Sequence, residues 1–339
     1  MTEKQYYREK GVSSTSLKWF EYSPKYFKKR LDEEIVDEKK SWLELGRKVH
    51  MSILEPEEFE KNYIYLEYTQ PKSPNQKQFC EEYVADRKKN PKATKISSKV
   101  KAYKQSYNVK NKKDDDVKKE ADKLYKRLKD YIDYLEKSEE YKDILTKSEW
   151  DKISELRDET FNHKKAVDLM ALNKDPFNTN TIAYSELPIF WYYPIKYEDV
   201  DLPCKSMIDR LVIDKDEKII RMIDVKTTSN IGEFKDSFDK FKYYRQLSYY
   251  WMALLWALKE GELKDTIDNL DEYKKESYIV TLQTRDLPEC RVYHIPDTKL
   301  DEGLTEIENI IPKIAWHWKN DLWEHTKEYY EGNGIENLF

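Results

Sequence analysis

Met207-Ile208-Asp209-Arg210-Leu211-Val212-Ile213, followed after Asp214-Lys215-Asp216-Glu217 by Ile219-Ile220-Arg221-Met222-Ile223-Asp224-Val225-Lys226-Thr227-Thr228, decides how this chain is read. Both runs are short and apolar, and the polar tetrapeptide between them has turn composition, so the segment reads as a β-hairpin. Side chains alternate along a strand. Asp224 and Lys226 therefore project on one side, and Asp209 on the neighbouring strand can converge with them. Two carboxylates and an amine in one small volume suit a hard divalent ion, which takes one or two carboxylates together with water and phosphate oxygens. The adjacent ammonium can orient a nucleophilic water or offset charge on a phosphate. That is the chemistry of phosphodiester hydrolysis. The alternative is a surface hairpin with a solvated ion pair, the commoner fate of an isolated Asp-x-Lys.

Composition narrows the classes. The 339 residues, 39% hydrophobic and 37% charged, can bury a sizeable core beneath a heavily charged surface. Met1-Thr2-Glu3-Lys4-Gln5-Tyr6-Tyr7 leads into no apolar stretch, and the best apolar window, Tyr249 to Leu258, is far short of the ~20 residues that span a bilayer. A cytoplasmic protein of a bacterial or phage-infected cell, without a membrane partner, is expected. Cys80, Cys204 and Cys290 give neither a disulfide framework nor a zinc or iron–sulfur spacing. None of the seven glycines falls in a nucleotide-cradling pattern, so energy from ATP is not expected.

The net charge of −5 averages over faces, whereas a nucleic-acid groove responds to the local field. From Arg87 to Lys113 there are eleven basic residues and no acidic one, with Tyr103 and Tyr107 interleaved. Lys99, Lys101, Lys104, Lys110, Lys112 and Lys113 of this run are candidate contacts to a phosphate backbone, and the tyrosines could stack a base. A solvated, Lys-rich insertion is the other reading.

Spacing predicts a helical N-terminal part over residues 1–60, including a helix through Trp42, Leu45, Val49 and Ile53. Residues 57–113 read as irregular. Charged helices follow over about 117–145 and 148–173, the whole of 61–180 being a helical, Lys-rich insertion. A core over 181–318 carries strands at 182–191, 203–213, 218–226, 277–284 and 290–295, with helices at 237–258 and 300–318, and 319–339 is a packing or oligomer arm. Three further features line up around the hairpin. Glu186 lies on the strand before Asp209, where a third carboxylate can join the site. His50 sits on a helix whose other face is apolar, as a packed residue or a ligand. Gln246 and Tyr250, four apart on a helix, share one face and offer an amide and a phenol.

This order of residues resembles the PD-(D/E)xK nuclease superfamily, specifically its RecB-like and RecE-like phage-type exonuclease branch. Ser14-x-Ser16-Leu17 with Tyr22-Ser23-Pro24-Lys25-Tyr26-Phe27 is similar to the branch's N-terminal signature. Gly46-x-x-x-His50 with Ile53-Leu54-Glu55-Pro56-Glu57-x-Phe59 resembles recombination exonucleases. The resemblance implies an α/β, restriction-endonuclease-like core with a mixed central sheet flanked by helices. It implies that Asp209, Asp224, the Val225 carbonyl and His50 hold Mg²⁺, with Mn²⁺ as an alternative, that Lys226 positions or activates water, and that Glu186 is an additional catalytic acid. Gln246 and Tyr250 resemble the DNA-contacting helix motif. The implied activity is exonucleolytic cleavage of double-stranded DNA from a free end in recombination or DNA processing. A ring-shaped homo-oligomer and a single-strand annealing protein are the implied partners. A structure-selective or restriction-like endonuclease and a catalytically idle DNA-end binding protein are the rival readings. Ser23 stands where related iron–sulfur nucleases carry cysteine, which disfavours a cluster.

Overall fold

The computed structural model describes residues 3–35, 41–109, 113–138, 140–141, 143–175, 177–195 and 200–336. The hairpin forms, as part of a five-stranded mixed sheet of β1 (Thr181–Ile195), β2 (Val200–Asp214), β3 (Ile219–Thr228), β4 (Lys274–Gln283) and β5 (Cys290–Ile295), ordered as numbered. Strands β1, β2 and β3 run antiparallel in turn, β4 joins β3 in parallel, and β5 returns antiparallel. Parallel neighbours need a long crossover. Here it includes the helices Phe234–Lys240 and Tyr243–Lys259.

That second crossover helix explains the core. Leu247, Trp251, Leu254 and Leu258 recur at three- and four-residue spacing, are buried, and pack with Ile220 and Met222 of β3 and Ile208 of β2. Each such side chain contributes about 1.5–3 kcal/mol on full burial. We label the helices that frame the sheet α1 (Ser14–Tyr22), α2 (Ser41–Leu54), α3 (Tyr243–Lys259) and α4 (Asp297–Asn320). Helices α3 and α4 approach closely at Gly303, where a Cβ would stand 2.4 Å from the Ser248 hydroxyl and 2.8 Å from the Arg245 Cα. The residues expected to form a C-terminal arm include Trp323, which is buried and stacks on Phe27 and His317 of the same core.

The chain divides into two compact units, Met1–Leu54 with Glu155–Phe339, and Glu55–Ser154. The insertion drawn from sequence ran from 61 to 180, whereas the second unit ends at Ser154. The expectation of irregular structure over 57–113 is corrected. Pro56–Asn62, Pro74–Lys89 and Lys95–Tyr107 are helices, the last two started by Ser73 and Thr94 accepting from the Gln76 and Ser97 amides. Their buried face is built from Phe79, Cys80, Tyr83, Ala102 and Tyr103, which pack with Val117, Ala121 and Ile132 from the helices Asp114–Arg127 and Lys129–Lys137. No helix among the described residues is long and apolar enough to cross a membrane.

Candidate active site

Two breaks in sheet regularity make the site. The β2–β3 ladder stops at Arg210↔Ile223, one residue before Asp209 and Asp224, so both carboxylates lie where the strands part. Beyond that point Val12 takes the place beside β2, its amide donating to the Pro203 carbonyl at 2.8 Å and its carbonyl accepting from Lys205 at 2.7 Å. The second break is on β1. Core-facing residues run Ile182, Tyr184, then Leu187, Ile189, Trp191, and on β2 they run Leu202, Cys204, Ile208, then Leu211, Ile213. Alternation changes phase at Glu186 and Asp209 while the register on either side is kept. Glu186 absorbs the change with φ 46°, left-handed backbone that is uncommon for a non-glycine residue and typical of functional sites.

The structure brings His50, Glu186, Asp209 and the Val225 carbonyl together. His50 Nδ1 lies 2.9 Å from Glu186 Oε1, and Nε2 lies 2.9 Å from the Val225 carbonyl and 3.1 Å from Asp209 Oδ2. Asp209 Oδ2 also accepts from the Val225 amide at 2.8 Å. The ligand-capable atoms of His50, Glu186 and Asp209 all fall within 4.8 Å of one another. Buried Val49, Ile53 and Leu54 hold α2 in place, and Gly46, one turn before His50, lets it approach β3, since a Cβ there would meet the Thr227 hydroxyl at 3.0 Å.

Asp224 stands in line with Ile220 and Met222 on β3, in reach of α3 and near enough to Asp209 and His50 for their charges to act on it. Lys226 Nζ lies 2.7 Å from its Oδ1 and 2.6 Å from its Oδ2, and Gln246 donates to Oδ1 at 3.3 Å and to the Tyr250 hydroxyl at 2.7 Å. Oδ2 is buried with no well-aligned hydrogen bond, so its contact with Lys226 is an ion pair alone. Sequence reasoning missed Tyr243, whose ring lies 5.1 Å from Lys226 Nζ. Its spacing of three from Gln246 and seven from Tyr250 was the available signal.

The charges are strongly coupled. Burial pushes the Asp224 carboxyl up to about 7, with repulsion from Asp209 adding to it against the pull of Lys226. Burial acts the same way on Asp209, but the charge and hydrogen bond of His50, with Lys226 behind them, hold it down to about 2. His50 and Lys226 would each lose affinity for a proton on burial. The surrounding carboxylates outweigh this and keep both charged. An imidazolium thus bridges Glu186, Asp209 and a carbonyl, groups that suit a cation. This donor set, with a buried unsatisfied Asp224 oxygen beside it, fits a hard divalent ion.

The other sequence candidates lie in the Glu55–Ser154 unit or outside the described residues. Lys99 pairs with Asp122 at 2.6 Å and sits 3.9 Å from the Tyr125 ring centroid, Lys101 pairs with Asp86 at 2.5 Å, and Lys104 with Asp114 at 2.9 Å. Lys113 precedes the helix Asp114–Arg127, and Lys110 and Lys112 fall outside the described residues. Tyr103 is buried, stacked on Tyr107 and bonded to Glu120, so its ring is closed to a base. Ser23 has its own local use, accepting from the Tyr26 amide to start the helix Pro24–Leu31.

No curated protein matches the sequence. Among solved structures, a "Putative exonuclease" from Eubacterium rectale shares the fold, at 14% identity and a TM-score of 0.50, over 100% of this chain and 95% of that one. Residues 13–329 match the family described as a PDDEXK-like domain of unknown function (DUF3799). The span takes in every residue of the site from His50 to Tyr250, and the chain belongs to this PDDEXK-like family.

Proposed function

We propose that the protein is a divalent-metal-dependent deoxyribonuclease that hydrolyses duplex DNA from its ends. The observation that carries this is the opening of the β2–β3 ladder at Asp209 and Asp224, with Lys226 beside one carboxylate and His50 and Glu186 beside the other. Asp209, Asp224, His50 and the Val225 carbonyl would hold Mg²⁺ or Mn²⁺, and Glu186 extends the acidic set. When bound, the ion would neutralise phosphate charge and make a water acidic enough to attack.

The residues supply the rest. Lys226, kept protonated by its two carboxylates, donates toward the attacking water or the phosphate, and Tyr243 limits where its ammonium can swing. Gln246 fixes Asp224 from the α3 side and holds the Tyr250 hydroxyl, which supports a role for this amide and phenol in contacting a scissile phosphate. His50 must give up its proton before its Nε2 can act as a ligand. The Lys-rich run, chiefly the exposed Lys101, Lys104 and Lys113, would add sequence-independent affinity for the backbone.

Linear and covalently closed circular duplexes, incubated side by side with Mg²⁺, test the mode of cleavage. The reading requires loss of the linear form with the circle spared. Cutting of the circle would instead favour the endonuclease reading, since fold and metal site do not fix where on DNA cleavage occurs.

A further inference from the structure

Beside the site, within the same unit, a cleft of about 690 Å³ is lined by the helix Glu3–Arg8, the start of α1, and Arg47 near the middle of α2. Its wall carries Arg8, Lys10, Arg30, Arg47 and Lys205 against Glu9 and Glu33, a local excess of positive charge on a chain whose net charge is −5. Lys10 is partly neutralised by Asp32 at 2.8 Å, and Lys205 is tied to the carbonyls of Tyr6 and Glu9. Arg8 and Arg47 are exposed.

Aromatic faces are interleaved with this charge. Tyr7 is 59% exposed and is braced edge-on by buried Tyr6, with ring centroids 5.4 Å apart. Trp19 carries Arg30 over its ring at 4.7 Å. At the inner end stands Tyr250, which Gln246 links to Asp224. The inner end of the cleft is thus two hydrogen bonds from Asp224, through Tyr250 and Gln246.

We propose that this cleft binds the unpaired end of a DNA strand and delivers it to Asp224 and Lys226, an assignment that rests on the nuclease reading above. Basic side chains alternating with aromatic faces are the recognition chemistry of single strands, because every base has a face to stack and every linkage a charge to neutralise. Within a duplex those faces are hidden in the stack, so the exposed ring of Tyr7 can stack only on a base that is unpaired. The volume agrees. It is the size of a small-ligand cleft, about 300–1,000 Å³, which admits a few nucleotides of one strand and excludes a double helix.

The test uses the full chain in EDTA, so that nothing is cut, with two dye-labelled probes: an oligothymidylate and a blunt hairpin duplex. Tyr7→Ala should weaken oligothymidylate binding about tenfold and leave the duplex within about twofold, since one stacked base is lost. Arg8→Glu combined with Arg47→Glu should lower the log–log salt slope for oligothymidylate by about 1.4 or more, at roughly 0.7 per phosphate contact on a single strand. Both variants change exposed positions, and the thermal transition of each should match the parent's. Unchanged affinity and slope, or equal losses on the two probes, would overturn the assignment. Hydrolysis by the parent in Mg²⁺ is scored separately. A parent that cuts linear DNA while the variants bind oligothymidylate normally refutes the cleft alone; one that binds through these residues yet cuts no DNA keeps the cleft and refutes the nuclease reading.

Discussion

Replacing Asp224 by Asn should make the ion-free protein more stable at neutral pH, although it removes a proposed metal ligand. In the fold the Asp224 carboxyl is pushed up to about 7 by burial and by Asp209, against 3.8 for the free side chain. A folded pKa above the unfolded one means that the native state binds the extra proton between those values, so stability falls as pH rises from about 4 to 7. At about 1.4 kcal/mol per pKa unit, the full shift of about 3 units sets an upper bound near 4 kcal/mol. Asn mimics the protonated acid and escapes this loss. Urea melts in EDTA, followed by tryptophan fluorescence, should therefore show Asp224→Asn about 1–4 kcal/mol more stable than the parent at pH 8, with the advantage gone by pH 4. The probe is well placed, since of the nine tryptophans only Trp150 lies in the Glu55–Ser154 unit. A variant equal to or weaker than the parent at pH 8 would refute the argument. Saturating Mg²⁺ should reverse the order, because an ion bound only by the native parent stabilises it by mass action.

Lys226→Ala should lower the single-turnover cleavage rate by at least about 100-fold with DNA affinity changed less than about threefold, because the ammonium acts on the water or the transition state; a parental rate would reduce Lys226 to a structural charge. Mg²⁺ binding should release protons, His50 being held charged by Asp209 and Glu186 in the ion-free protein. Titration calorimetry in buffers of different ionisation enthalpy measures this, and a buffer-independent enthalpy would contradict it. Gly303→Ala should cost about 1–3 kcal/mol through overpacking of α3 against α4, where the Arg245 backbone cannot retreat as a side-chain tip would. Lys104→Ala and Lys113→Ala should each lower the salt slope of duplex binding by about 0.9, and an unchanged slope would return the basic run to a solvated surface.

The hairpin and its charged pair were legible because alternation at period two is a local property, and Asp224-x-Lys226 needs no tertiary information to share a face. The order of the site residues along the chain carried the fold class. Other features depend on distant partners. Nothing near Glu186 announces left-handed backbone, which arises because β1 and β2 change phase together at the site. Val12 fills the place vacated by β3 through two backbone hydrogen bonds, which leave no pattern in side chains. The helices Pro74–Lys89 and Lys95–Tyr107 were hidden because tyrosine, cysteine and alanine make much of their buried face amid many lysines, although Ser73-Pro74 and Thr94 are good helix starts. The basic cleft was unreadable for a related reason. Its residues come from five separate stretches between Tyr6 and Tyr250, and only the fold sums their charge.

The most direct measurement is Mg²⁺-dependent release of nucleotides from an end-labelled linear duplex by the parent, Asp209→Ala and Asp224→Ala proteins, each compared with itself in EDTA. The account predicts steady release by the parent in Mg²⁺, none in EDTA, and a loss of at least about a thousandfold in both variants, on the order of 4 kcal/mol of transition-state stabilisation. Parental rates from both variants, or a parent indifferent to EDTA, would contradict it.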